Sequence, residues 1–252
     1  MCVLRPQLLV VKVANMATAD LSRIARLCDE GRYLTAYEAS RALGPLKTWR
    51  GQPALLLAGR LASVLGALRL AASLRYLAWR ADRRSPQAQL AHATTLANHR
   101  SPFDAWKFLR RCGELATHDI TLHSDWLVMQ ADLASMFRDF DAAQEWHEKA
   151  AGLTPDRSWL WARRAANLVW EDRYDEAHRA AARALALQPA FPPAVRQCAE
   201  TLVLLGRDEE ALRLLVEAAR DTQCGYVWLD LANLQSEMGQ HAQAYDSYQH
   251  VL

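Results

Sequence analysis

Seven alanines stand on one register along the chain: Ala36, Ala71, Ala105, Ala143, Ala177, Ala211 and Ala244, separated by 35, 34, 38, 34, 34 and 33 residues. A small residue returning at this interval predicts a stack of similar units, each burying its apolar face on the next. The stretch DRYDEAHRAAARALALQP, Asp172 to Pro189, shows why the residue is alanine. Alanine is the best helix former and proline ends the run. Yet a lone helix made mainly of alanine buries little and is marginal in water. The alanines make sense as seats for other helices.

Two more columns support this. Twelve residues upstream lie Ile24, Gly59, Ala93, Ala131, Ala165, Ala199 and Ala232, and seven downstream lie Leu43, Ala78, Cys112, Ala150, Ala184, Ala218 and Val251. Each unit therefore reads as a helical hairpin. The first column lets helix A approach its own helix B, and the other two let helix B meet its neighbours. Glycine and proline are sparse, with 10 and 9 in 252 residues, which fits an all-helical chain.

The period of 34 and these columns resemble the tetratricopeptide repeat (TPR), most clearly in SDWLVMQADLASMFRDFDAAQEWHEKAAGLTP, SWLWARRAANLVWEDRYDEAHRAAARALALQP and GYVWLDLANLQSEMGQHAQAYDSYQHVL. The resemblance implies an all-α fold: a right-handed α-solenoid of antiparallel helix pairs, about seven repeats, with a concave face. Residues 17–123 hold three degenerate repeats and residues 124–252 hold repeats 4–7. Four extra residues fall near GELATHDITLH, Gly113 to His123, and are expected as a longer loop or a joint; Pro102 enters the turn of the third repeat. The charge changes sign at the same place. Residues 1–111 carry 18 Lys+Arg against 6 Asp+Glu, and residues 112–252 carry 12 against 22.

Residues 1–16 read as an N-terminal extension without fixed structure. The apolar run Leu8–Val13, broken by Lys12, is too short for a membrane span, and Met16 is the expected start of translation. At the other end the last repeat lacks a capping helix, so Tyr248, Val251 and Leu252 suggest either a longer natural chain or an edge that self-associates. GRYLTAYEASRALGPLKTW and SPFDAWKFLRR are also similar to the N-terminal TPR arrays of large bacterial proteins that carry a papain-like cysteine peptidase domain. That resemblance implies a regulatory or substrate-presenting domain of a larger enzyme whose catalytic part lies outside this chain.

No nucleotide-binding glycine loop, HExxH or GxSxG motif occurs. Five widely spaced cysteines with no CxxC pair argue against a disulfide framework and fit a reducing, cytoplasmic setting. His118 and His123, with Asp119, lack the spacing of a metal site; His147 and His178 are expected as surface or packing residues on B helices. The expectation is a non-catalytic scaffold without cofactor or metal, with a protein or peptide partner and no membrane; nucleic acid is not the expected partner, a basic N-terminal surface that binds it being the third reading after the peptide scaffold and the enzyme domain.

The candidate binding stripe is in the fifth repeat. Trp159, Arg163, Asn167 and Trp170 recur at i, i+4, i+8 and i+11, on one face of helix A. By the TPR resemblance this face lines the concave groove, where Asp132, Arg196, Glu200 and Asn233 of neighbouring A helices join it. Aromatic, guanidinium and amide groups together suit an extended peptide. The Lys–Asn–Asn–Lys–Arg clamp with which one TPR subclass grips acidic chaperone tails is not matched: its positions carry residues such as Val128, Asp132, Arg163, Arg196 and Glu200.

Overall fold

In the computed structural model, residues 20–113, 115, 117–222 and 224–251 are described; the N-terminal extension, with Met16, and Leu252 lie outside them. The described residues contain helices and turns and no strand. They divide into two compact units, 1–81 and 82–252. The charge reversal near residue 112 falls inside the second.

The first unit begins with α1, residues 20–29, and α2, Tyr33–Ser40. Two short 3-10 turns, Arg41–Leu43 and Leu46–Thr48, lead to α3, Gln52–Val64, and α4, Leu68–Ala81. Trp49 is buried among these helices and donates its indole N–H to the Gly44 carbonyl at 3.1 Å. Gly59 sits where its helix meets α4. A Cβ there would come within 3.0 Å of the Arg75 Cγ, so the arginine stem needs the missing side chain.

The second unit alternates A and B helices. These are α5 Pro86–His99, α6 Pro102–Cys112, α7 Ile120–Met136, α8 Phe140–Leu153, α9 Ser158–Trp170, α10 Tyr174–Leu187, α11 Pro192–Leu204, α12 Asp208–Thr222, α13 Gly225–Glu237 and α14 His241–Gln249. The odd-numbered A helices pack side by side in a row, and each of α6, α8, α10 and α12 also packs on the A helix that follows it. This is the all-α helical repeat arrangement that the alanine spacing predicts. All seven register alanines are buried, as is the whole upstream column. The downstream column is buried at Ala78, Ala150, Ala184 and Ala218 and only partly so at Leu43, Cys112 and Val251.

Part of the expected longer loop is there: seven residues separate α6, ending at Cys112, from α7, starting at Ile120, where four separate α8 from α9 and α10 from α11. Helix α7 is longer as well, with 17 residues where α9, α11 and α13 have 13. Asp119 starts the added turn by accepting from the Leu122 N–H at 3.1 Å. Pro102 is the first residue of α6, where a missing N–H costs nothing, and Ser101 caps the helix through the Asp104 N–H.

Candidate functional site

The row of A helices presents α7, α9, α11 and α13 side by side, and their charged side chains pair across it. Arg157, just before α9, forms a two-pronged pair with Asp125 of α7, its Nη2 lying 3.1 Å from Oδ2. Arg163 of α9 reaches Asp132 of α7 at 2.8 Å. Arg196 of α11 grips Asp230 of α13 through both Nε and Nη2, the latter at 3.1 Å from Oδ1. The two last-named guanidinium groups also lie against rings: Arg163 is 5.6 Å from the Trp159 centre, and Arg196 is 5.2 Å from that of Tyr226. The face is thus lined by arginines already neutralised by the neighbouring helix, two of which, Arg163 and Arg196, also lie against an aromatic ring.

Beneath Arg163 lies a buried polar cluster. Asn167, 2% exposed, donates from Nδ2 to Asp132 Oδ1 at 3.2 Å and meets His147 Nε2 of α8 at 2.8 Å. This fixes the histidine. An amide N–H facing Nε2 makes that nitrogen the acceptor and places the ring proton on Nδ1. Burial first, then Arg164 and Arg163, push the His147 pKa down to about 3, so the ring is neutral near pH 7. His147 Nδ1, Asn167 Oδ1 and Arg163 Nε are left with no protein partner.

The eight residues expected at the groove therefore divide. Trp159, Arg163, Asp132 and Asn167 form one connected group, and Arg196 belongs to a second group with Asp230 and Tyr226. Asn167 lies beneath the face, where a ligand would not touch it. Trp170 is 40% exposed, and its carbonyl accepts from Arg138 at 3.0 Å. Glu200 is exposed and accepts from Gln197, and Asn233 is exposed and accepts from the Tyr248 hydroxyl at 2.7 Å. Glu200 acts on the second group through its charge, which together with Asp230 favours charged Arg196, while Trp170 and Asn233 have no side-chain contact with either group among the described residues. The sequence placed His147 as a surface or packing residue, and it is a buried one; its link to Asn167, and Asp230 altogether, were missed. Opposite charges about one repeat apart on consecutive A helices, Arg196 with Asp230, were the available signal.

Among the described residues no group of three or more His, Cys, Asp or Glu could hold a metal, and no helix is long and apolar enough to cross a membrane. Cys28, Cys198 and Cys224 are buried free thiols, their pKa raised chiefly by burial. That suits packing better than nucleophilic chemistry.

Known structures decide the fold. PilF of Pseudomonas aeruginosa matches with a TM-score of 0.53 at 16% identity, over 68% of this chain and 78% of that one. The fold is a TPR-type helical repeat. Human IFIT1, solved as a dimer with PPP-AAAA and with m7Gppp-AAAA, matches with TM-scores of 0.59 and 0.60 at 15% identity. Each match covers 80% of this chain but only about half of the IFIT1 chain, 50% and 49%. No family model and no curated protein matches the sequence.

Proposed function

We propose that the second unit is a protein-interaction scaffold that holds an extended peptide along the row α7, α9, α11 and α13. The observation that carries this is the pair of preformed arginine–aromatic groups, Arg163 with Trp159 and Arg196 with Tyr226, each clamped by an aspartate of the adjacent A helix. A held ring and a held guanidinium lose little freedom on binding, which favours affinity. Because both arginines already have carboxylate partners, the ligand is read through ring faces and free guanidinium edges, with no acidic tail required. Exposed Trp170 extends the apolar area at the end of α9. The human IFIT1 structures contain PPP-AAAA or m7Gppp-AAAA, and PilF has the same kind of repeat fold, so the scaffold reading is the common denominator and the ligand class is specific to this face.

Peptides selected from a random library on the intact protein test this. Trp159→Ala and Trp170→Ala are expected to weaken a selected peptide by about 1–3 kcal/mol each. Melting temperature measured alongside separates anchoring from packing. Lower stability with unchanged affinity would mark the rings as core and remove the groove reading.

A further inference from the structure

Helix α6 carries a second, unrelated surface. Its inner face, Ala105 and Leu109, is buried in the core. The outward stripe of a surface helix is ordinarily polar, yet here it holds Phe103, 49% exposed, beside the half-buried Trp106, whose other side packs against that core. Their rings stack with centres 5.7 Å apart and planes 14° apart. Lys107 Nζ lies 4.1 Å from the centre of Phe103, and the Arg110 guanidinium lies 5.0 Å from that of Trp106. Positions 103, 106, 107 and 110 follow the i, i+3, i+4, i+7 spacing of one helix face. The result is a ladder: ammonium, ring, ring, guanidinium.

The cations of this ladder differ from those of the A-helix row. Arg157, Arg163 and Arg196 are each paired with an aspartate, whereas Lys107, Arg110 and the adjacent exposed Arg111 have no carboxylate in ion-pair range among the described residues. Among the described residues these cations thus stand without an ion-pair partner next to the exposed Phe103 ring. Arg110 lies over the Trp106 ring and makes no side-chain hydrogen bond among the described residues, so its N–H donors remain for a ligand.

We propose that this face of α6 binds single-stranded nucleic acid. A base takes the place of the Lys107 ammonium on the Phe103 ring, and the freed Lys107 with Arg110 and Arg111 meets the phosphates. An acidic peptide would use the cations and leave the rings uncovered. A duplex keeps its bases stacked on one another and cannot use the ladder. The face lies on a B helix, outside the A-helix row, so its success or failure is independent of peptide capture there.

Fluorescence anisotropy of the intact protein with a labelled single-stranded RNA of about 12 nucleotides provides the test, at salt of about 50 and 200 mM. Binding is expected, weakening steeply with salt. Phe103→Ala should lower affinity about tenfold through lost stacking, and the double variant K107E/R110E should abolish binding at the higher salt. All three positions are exposed, so circular dichroism and melting temperature are expected to stay at wild-type values. A variant that has lost its helix signal is replaced by Arg110→Gln. The proposal is overturned if the single strand does not bind at low salt or if the variants bind like wild type. Equal affinity for a duplex of the same length, or a preference for poly-glutamate or anionic vesicles lost in the same variants, overturns it as well.

Discussion

His147 is held neutral by a geometry in which its neighbours leave a proton no room. Asn167 points an N–H at one ring nitrogen, burial strips solvent from the ring, and Arg163 and Arg164 add positive charge nearby. The unfolded chain takes up this proton as pH falls through about 6.5, while the folded chain resists until about 3. Across that window the unfolded state binds more protons, so acid removes stability, and the loss levels off below it. Urea titrations at a series of pH values should show it as a slope of up to about 1.4 kcal/mol per pH unit from this one group. In His147→Gln that share of the slope disappears, while any part due to the similarly lowered His92 and His178 remains. An unchanged pH profile in the variant would contradict the buried neutral ring. None of this was legible in the sequence, because a histidine on an alanine-rich helix carries no mark of which neighbour will face it.

The turns between A and B helices show how an element boundary is written. Five residues before each register alanine the chain needs a left-handed residue: Gly31, Gly66, Arg138, Asp172, Gly206 and Gly239 all have φ between 58° and 78°. There the backbone N–H of the following residue closes a six-residue loop onto the preceding helix, as Arg207 does to Leu202 and Arg173 to Leu168. The third repeat escapes the requirement. Its α5 runs to His99, Arg100 has φ −123°, and Ser101 opens the next helix at once. Two glycine substitutions should accordingly have opposite signs. Gly206→Ala has open space for a Cβ but a φ of 70°, so it should cost about 1 kcal/mol. Gly152→Ala, within α8 and equally uncrowded, should gain about 0.5–1 kcal/mol. Thermal melts of the two variants check this, and shifts of the same sign would refute it. Helix pairs and their small-residue seats were legible because they repeat. The added turn of α7 was not, since four extra residues fit a loop and a helix equally well until Asp119 is seen capping one.

At the scale of the whole chain, the division into units 1–81 and 82–252 falls at Ala81–Asp82, just before an exposed Asp82–Arg83–Arg84 turn. Brief trypsin treatment of the native protein should therefore cut first after Arg83 or Arg84, leaving both fragments helical by circular dichroism. First cleavage at Arg110–Arg111 instead would place the weak point where the charge changes sign. The seven-fold period foretold the stack, but a seam is not written in the period. It depends on how many apolar side chains bridge each neighbouring pair, and the register alanines are identical on both sides of it.

The cross-row pairs described above are unevenly spread. Helix α9 is tied to α7 by Arg157–Asp125, Arg163–Asp132 and Asn167–Asp132, and α11 is tied to α13 by Arg196–Asp230. No polar side-chain contact among the described residues joins α9 to α11. The α9–α11 junction is therefore held by apolar packing, with α10 lying against both helices, while the α7–α9 and α11–α13 junctions add ion pairs that salt screens. Raising salt should speed amide exchange between α7 and α9 and leave the α9–α11 junction unchanged.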